Sequence, residues 1–450
     1  MAKTFYTFKN ILLITGDIGI LYLSLYGALF VRYGAGFTDT IWQAHVFPFS
    51  LSFALWVIIF HIGGLYNPKI TKNDYRFYAT AAKTILFAIA ATMIVFYLMP
   101  AFGIAPKTNL LLVGIIFFAL FALWRNAYNA LIRSRHLSNT IIFVGMNKET
   151  KDIIAMLDAH PQLGYAVAGV VEHDGADRLS KIIKEKNVDT IVYTKEQGHD
   201  GAGSNARISK ILYTLIPLGA DIVDLPKFYA QVTRKIPVSI IGETWFLENL
   251  ITSEKNLYKI EKRALDLVSA LVLGAITLPF MPLVALLIVM DSRGPVFYRQ
   301  KRVGKNGRQF ALVKFRTMID NAERQGVQWT QTKDRRVTKI GSILRKTRID
   351  ELPQLWNILK GDMSFIGPRP ERPEFVATLE KEIPHYPMRH LIKPGLTGWA
   401  QINQPLGGAS VSDSMEKLQY DLYYIKNRNL IIDFDILMKT IRVVVSREGY

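Results

Sequence analysis

The first 135 positions alternate between long apolar runs and short polar breaks. Four runs stand out, at about 10–31, 47–65, 80–98 and 109–124. Each is close to the roughly 20 residues that a helix needs to cross a hydrocarbon core. The pattern predicts a four-helix transmembrane bundle over residues 1–135. The charges between the runs orient it. Lys3 and Lys9 precede the first; Lys69, Lys72 and Arg76 separate the second and third; Arg125, Arg133 and Arg135 follow the fourth. The other two connections carry little positive charge. Lys and Arg concentrate in cytoplasmic loops, so both ends of the bundle are expected on the cytoplasmic side. The first run is long and lacks a small-residue cleavage site, so it reads as a retained anchor. Asp17 falls inside it, near its cytoplasmic end, and is expected to find a hydrogen-bond partner within the bundle.

The period changes over residues 136–250. Short β-branched runs at 140–145, 166–172, 190–194 and 221–225 alternate with helical patterns at 150–158, 176–186 and 206–218. Alternating strands and helices predict a parallel sheet in a Rossmann-like α/β module. Its first strand ends in Val144-Gly145-Met146-Asn147-Lys148-Glu149. A dinucleotide fingerprint would place two more glycines there, so nucleotide binding is unsupported. The glycine-rich stretch 198–204 reads as a surface loop.

A fifth apolar run, 264–290, is long enough to span but carries Pro279 and Pro282 in its middle. Two prolines three apart remove helix hydrogen bonds and force a break. Both flanks are basic: Lys259, Lys262 and Arg263 before it, Arg293, Arg299, Lys301 and Arg302 after it. A re-entrant helix–break–helix keeps both flanks cytoplasmic, which a simple span does not. Its freed backbone groups must then be met by nearby side chains or interfacial water. The runs at 430–437 and 441–445 fit either amphipathic helices against the bilayer or ordinary core.

Composition supports this picture and narrows it. At 450 residues the prior is about three domains. Half the residues are hydrophobic, yet the formal charge is +18 and the mean hydropathy +0.16. That pairing suits a membrane protein with a basic cytoplasmic face against an anionic lipid bilayer. No basic recognition helix or RNP-like aromatic pattern is present, so no nucleic acid is expected. The absence of cysteine excludes disulfides, thiolate catalysis and Cys-ligated metals. The eight His residues show no HExxH-type spacing.

The candidate chemistry centres on residues 339–372. Two adjacent carboxylates, Asp350 and Glu351, follow Arg345, Lys346 and Arg348 and precede a Gly-Pro-Arg-Pro turn at 367–370. Pro353 and the stripe Leu352, Leu355, Trp356 and Leu359 predict a short helix that Gly361 stops, with the acids at its start. Taken alone, an acid there is an ordinary helix cap. Its surroundings argue for more. Arg369 and Arg372 lie close behind, and strand alternation upstream would put Lys314 and Arg316 on one face. Several cations around adjacent acids suit phosphate chemistry, because they stabilise charge on a transferring phosphoryl group.

Six ordered motifs carry a resemblance. They are Gly294-Pro295-Val296-Phe297-Tyr298-Arg299-Gln300, Lys314-Phe315-Arg316-Thr317-Met318, Ile349-Asp350-Glu351-Leu352-Pro353-Gln354, Gly367-Pro368-Arg369-Pro370, Lys393-Pro394-Gly395-Leu396-Thr397-Gly398-Trp399-Ala400-Gln401 and Tyr420-Asp421-Leu422-Tyr423-Tyr424. In these, residues 262–450 resemble the monotopic polyprenyl-phosphate glycosyl-1-phosphate transferases. The preceding helices and α/β module resemble the long members that act on undecaprenyl phosphate. The resemblance implies a mostly α catalytic domain over 251–450 with a re-entrant membrane helix, in the bacterial inner membrane with its soluble parts cytoplasmic. It implies that Asp350 attacks a UDP-sugar, a UDP-hexose being the first expectation, releases UMP and forms an aspartyl phosphosugar, which undecaprenyl phosphate then takes up. Glu351, with Asp350, would hold Mg²⁺. Lys314, Arg316, Arg345, Arg348 and Arg369 would bind phosphate. One departure is Asn403-Gln404-Pro405-Leu406-Gly407-Gly408, where many relatives carry a glycine and an arginine directly after the asparagine. A homodimer through the amino-terminal half is a further expectation.

Two rival readings are weaker. A sugar-nucleotide dehydratase or epimerase needs a glycine-rich NAD site and a Tyr-xxx-Lys pair. Tyr258 and Lys262 have that spacing but lie outside any Rossmann unit. A transporter or scaffold would need paired ionisable residues along its helices, which the four runs lack.

Overall fold

The computed structural model of the chain describes residues 2–66, 73–99, 107–133, 138–173, 178–195, 201–250, 256–319, 322, 334, 336–404 and 410–446. Packing divides the chain into two units, Met1–Phe228 and Tyr229–Tyr450.

The first unit opens with four long helices, α1 (Ala2–Tyr33), α2 (Asp39–Ile62), α3 (Tyr75–Leu98) and α4 (Lys107–Arg133). They outrun the apolar stretches because their polar ends carry helical hydrogen bonds onward. Asp74 caps α3 by accepting from the Phe77 N–H at 2.8 Å. The bundle core is aromatic: Trp56, Phe60, Phe117, Phe121 and Phe77 pack edge-to-face or stacked, each pair adding about 0.5–1.5 kcal/mol beyond its buried area. Several polar groups inside are paired. Trp56 donates to Thr92 Oγ1 at 2.8 Å, and Arg32 donates to Asn109 at 2.8 Å. Asp17 meets Arg125 at 2.7 Å, with neither exposed, which is the partner expected for an acid at that depth.

Four parallel strands follow, β1 (Asn139–Val144), β2 (Tyr165–Val171), β3 (Thr190–Tyr193) and β4 (Asp221–Asp224), in the order β2-β1-β3-β4. They alternate with α5 (Lys148–Ala159), α6 (Leu179–Lys186) and α7 (Gly201–Leu215). Residues 201–204, expected in a loop, instead open α7; 198–200 lie outside the described residues. In such sheets ligands bind where the strand order reverses, here between β1 and β3. That position is filled. His173 donates to the Thr194 carbonyl at 3.0 Å, and a Cβ on Gly145 would fall 2.6 Å from its ring.

In chain order there follow α8 (Leu225–Thr233), α9 (Glu243–Leu250), α10 (Asn256–Thr277) and α11 (Met281–Asp291). A single 3₁₀ turn, Leu278–Phe280, separates the last two. Pro279 and Pro282 each occupy a first-turn position, where a missing N–H costs nothing. Then come the antiparallel pair β5 (Phe297–Val303) and β6 (Gln309–Phe315), α12 (Lys339–Lys346) and α13 (Gln354–Lys360). Next are β7 (Ser364–Ile366), α14 (Pro373–Glu382), β8 (Gly395–Thr397), α15 (Trp399–Asn403), α16 (Val411–Asn427) and α17 (Leu430–Ser446). One core gathers Leu312, Leu355, Ile358, Phe365, Trp399 and Ile436; a second gathers Ile236, Phe246, Leu379, Leu418 and Leu422. Helix α17 resolves its two readings by having two faces. Ile436 is buried, while Ile431 and Phe434 are exposed.

Among the described residues, five segments are long and apolar enough to cross a membrane: Ile11–Gly36, Asp39–Ile62, Tyr75–Leu98, Thr108–Ile132 and Leu257–Asp291. The chain is a membrane protein that carries a parallel α/β piece.

Candidate active site

Helix α12 approaches the end of β6 more closely than a side chain would allow. A Cβ on Gly341 would sit 2.1 Å from the Thr317 carbonyl oxygen. This contact brings Arg345 to Thr317 Oγ1 at 2.8 Å. Past α12 the chain reverses at Arg348, whose φ of +58° lies in the left-handed region that only a few per cent of non-glycine residues adopt. Ile349, Asp350 and Glu351 then form one 3₁₀ turn. The acids thus precede α13 by a turn, and neither caps it; Pro353 takes that position. Gly361 does end α13, at φ +94°.

Asn357 sets α13 against β6. Its amide donates to the Ala311 carbonyl at 2.8 Å and accepts from the Val313 N–H at 3.1 Å. That register places Glu351 beside Lys314. Glu351 Oε1 gathers Arg369 at 2.8 Å, Arg348 at 3.6 Å and Lys314 at 3.8 Å. Arg369 comes from the turn after β7. Glycine contacts hold that turn: a Cβ on Gly395 would fall 2.1 Å from the Gly367 nitrogen. The Arg369 carbonyl accepts from Arg389 at 3.2 Å and the Pro370 carbonyl from Arg302 at 2.9 Å. Arg389 is itself held by Asp421 at 2.8 Å.

Asp350 is as buried as Glu351, but its Oδ1 has no hydrogen-bond partner. It lines a cavity of about 2760 Å³, as do Lys314, Arg345, Arg348 and Arg369. Burial, and then the charge of Glu351, push the Asp350 carboxyl above its ordinary range. Burial would raise Glu351 too, but Arg369, Lys314 and Arg348 outweigh it and hold that carboxyl low. Burial brings Lys314 down to about 8, with Glu351 opposing. One acid is therefore neutralised by cations and the other stands open.

Of the seven residues expected at the site, six converge here. Arg316 lines the same cavity, but its guanidinium donates to the carbonyls of Arg293 at 2.8 Å and Ser292 at 2.6 Å. It fastens the end of α11, because β6 stops at Phe315 and the expected strand alternation does not reach it. Sequence reasoning missed Asn357 and Arg389. The available signal was a polar residue in the apolar stripe of α13, and a lone arginine ahead of the Lys-Pro-Gly motif. Of the departure at 403–408, residues 405–408 lie outside the described residues.

No group of three or more His, Cys, Asp or Glu among the described residues could hold a metal. Asp350 would fit Mg²⁺, which is usually bound by one or two carboxylates together with substrate phosphates, whereas Glu351, the other expected ligand, is already matched by three cations.

Residues 257–447 match the family model described as bacterial sugar transferase. The exopolysaccharide production protein PSS of Rhizobium leguminosarum bv. phaseoli is 40% identical over 191 residues, which are 41% of this chain and 96% of that protein. The chain belongs to the bacterial sugar transferases. Longer members match as well. The UDP-N-acetylgalactosamine-undecaprenyl-phosphate N-acetylgalactosaminephosphotransferase of Aeromonas hydrophila is 46% identical over 193 residues, 43% of this chain and 45% of its own length. The UDP-glucose:undecaprenyl-phosphate glucose-1-phosphate transferase of Escherichia coli K12 is 32% identical over 303 residues, 64% of each chain. The chain spans about half to two thirds of the length of these longer curated relatives. The bacterial sugar transferase match contains the whole constellation from Lys314 to Arg369.

Proposed function

We propose that the second unit transfers a sugar-1-phosphate from a UDP-sugar to undecaprenyl phosphate. The observation that carries the reading is the asymmetry of the two acids. Glu351 is saturated by three cations, while Asp350 presents a free oxygen to a cavity lined with cations. In this reading Asp350 Oδ1 attacks the sugar-bearing phosphorus. The phosphoanhydride bond to UMP breaks, and UMP leaves with the electron pair. An oxygen of undecaprenyl phosphate then attacks the same phosphorus and displaces the Asp350 carboxylate. A carboxylate needs no separate base once ionised. Arg345 and Arg348 face the incoming diphosphate; Lys314 and Arg369 hold Glu351 in place and share its charge. When held by the Asp350 carboxylate and the substrate phosphates, Mg²⁺ would neutralise charge on the diphosphate.

The four helices of the first unit are read as a transmembrane bundle, and the segment Leu257–Asp291 of the second as re-entrant. Both ends of that segment are fastened to one body. Lys262 pairs with Asp433 at 2.8 Å and Arg263 donates to the Ile358 carbonyl at 2.7 Å, while Arg316 holds Ser292 and Arg293 at the other end. A straight helix of that length would separate those ends by about 50 Å. In the membrane this sets the carboxylates at the cytoplasmic surface of the bacterial inner membrane. The donor is a UDP-hexose, glucose or galactose, with an N-acetylated sugar behind it. A relative named for N-acetylgalactosamine phosphate transfer keeps that second class in contention.

The test is UMP release from a panel of UDP-sugars with undecaprenyl phosphate. Turnover by one donor, lost on chelation and restored by Mg²⁺, is expected. Asp350→Asn should show neither turnover nor covalent labelling by the donor, and normal turnover in that variant would sink the assignment. Cysteines introduced before Arg263 and after Arg302, in a chain that has none, should label from the same side of the membrane.

A further inference from the structure

Two large apolar side chains stand outward on the helices that flank the carboxylates. Ile343 on α12 is 57% exposed and Trp356 on α13 is 65% exposed. Their apolar neighbours, Leu344, Leu355 and Ile358, are buried, so neither side chain is spare core.

Both helices are fastened to the apolar segment. Ile340 and Leu344 pack with Val284 and Ile288 of α11. The Ile340 N–H donates to the Asp291 carboxylate at 2.9 Å, at the very end of that helix. Helix α12 therefore runs beside the last turns of the membrane-embedded segment. On the other side, Arg263 donates to the Ile358 and Leu359 carbonyls at 2.7 and 2.8 Å. The end of α13 is thus level with the basic flank where α10 begins its apolar run. The composition of α12 agrees, with Lys339, Ser342 and Lys346 set against Ile340, Ile343 and Leu344. Ile340 and Leu344 of that face pack on α11, which leaves Ile343 outward, and an apolar side chain on an interfacial helix reaches about 5–10 Å into the boundary of headgroups and acyl chains. Tryptophan collects at the same level, where its ring is amphipathic enough to be stable.

We infer that Ile343 and Trp356 insert into the lipid interface, one on the helix before Asp350 and Glu351 and one on the helix after them, and fix the height of the carboxylates over the bilayer. The partner is the lipid surface itself. The inference rests on the membrane-embedded reading of Leu257–Asp291 and deepens the proposed reaction, whose acceptor carries its phosphate at headgroup level. Two anchors on separate helices also resist tilt, which one hairpin alone would permit.

The test measures depth and needs no substrate. Ile343→Cys, Trp356→Cys, Lys360→Cys and Glu380→Cys are each labelled with an environment-sensitive fluorophore in the full chain. They are reconstituted in nanodiscs of phosphatidylethanolamine and phosphatidylglycerol. Lys360 lies one turn from Trp356, and Glu380 is an exposed position on α14. Lipid carrying a nitroxide high on its acyl chain should quench positions 343 and 356 at least about threefold more than 380, as expected for side chains within the boundary layer. Position 360 should fall between, and aqueous iodide should give the reverse order. Equal lipid quenching at 343, 356 and 380 overturns the inference. So does shielding of 343 and 356 from both quenchers, which would mark a protein partner. Should one cysteine variant misfold, the other decides. Quenching of native tryptophan by brominated lipid, compared between the unsubstituted chain and Trp356→Phe, gives the same answer without a label. A correct depth with no UMP release would count against the reaction and leave the anchors standing. A wrong depth with full turnover would do the opposite.

Discussion

Each half of the molecule buries an aspartate beside arginine, and the two sites are built to opposite ends. In the bundle, Asp17 meets Arg125 at 2.7 Å with both fully enclosed, and Tyr66 and Trp124 close around the same carboxylate. The Arg125 guanidinium is stacked on Phe121 at 4.5 Å. One acid faces one base, the remaining volume is aromatic, and α1 is locked to α4. Around Asp350 there are two acids and four cations, and the group faces open space. Burial of an acid is common to both and so identifies neither. What separates them is an excess of positive charge directed at a cavity, which stays unsatisfied until an anion arrives.

The largest expected effect breaks this comparison most directly. Asp350→Asn should reduce UMP release by about 10⁴-fold or more, as loss of a covalent nucleophile does. Asp17→Asn should leave turnover per folded molecule within a factor of two or so, yet cost about 3–5 kcal/mol in stability, because Arg125 remains buried with half a partner. Activity per active site and thermal unfolding in detergent separate the two. Loss of turnover in a stably folded Asp17→Asn protein would show that the bundle is part of the catalytic apparatus.

Glu351→Gln comes next. It removes the countercharge of Lys314, Arg348 and Arg369 at once, so a stability loss of about 3–5 kcal/mol is expected together with a large loss of turnover. Arg369→Lys should be milder in stability, since an ammonium can still approach Glu351. It should lower turnover more than stability, since the planar fork that holds Glu351 in place is gone.

The pH dependence is smaller and carries a sign. Burial, then the Glu351 charge, raises Asp350 to about 6. A raised acid contributes stability that is fully present below its unfolded value near 3.8 and is lost as pH rises through the folded value. Ionising Asp350 in the folded chain thus costs up to about 3 kcal/mol near pH 8, since each pH unit between the two values is worth about 1.4 kcal/mol. Asp350→Asn should therefore match the native chain in stability at pH 4 and exceed it at pH 8. Over the same window kcat/KM of the native enzyme should rise, because the proposed nucleophile acts in its ionised form and this parameter reports the free enzyme. A flat profile between pH 5 and 7 would mean that substrate or metal binding sets the ionisation.

Long apolar runs and period-two strands are local signals, and α1–α4 and β1–β4 were legible for that reason. The dyad and its arginines were legible as a cluster because they lie within one short stretch of chain. Telling the two acids apart from the residues alone was not possible, since either acid of an Asp-Glu pair can cap a helix. The difference arises from Lys314 and Arg369, brought in from β6 and from the turn after β7. The misplacement of Arg316 has a similar origin. Alternation holds only while the strand continues, and β6 ends one residue earlier. Asn357 and Arg389 act through backbone carbonyls distant in sequence, and no local pattern announces such a bond.

The smallest expected effect concerns Tyr258 and Lys262, whose spacing has a structural use. Both close on Asp433: the Tyr258 hydroxyl donates at 2.9 Å, Lys262 at 2.8 Å, and the Tyr424 hydroxyl at 2.6 Å to the other oxygen. Three donors on one carboxylate tie the start of α10 to α16 and α17. Tyr258→Phe removes one donor and leaves Asp433 with two, so about 1 kcal/mol is the expected cost. Asp433→Asn leaves Lys262 without a countercharge and should cost more. Lys262→Met with Asp433→Leu should recover part of that loss, since exchanging a buried pair for apolar groups is often neutral. Thermal unfolding of these variants in one detergent measures this. If the double variant is worse than either single one, the carboxylate does more than fasten α10. The pair would then be taking part in setting the position of α10 beside the site, and turnover in the double variant should fall with it.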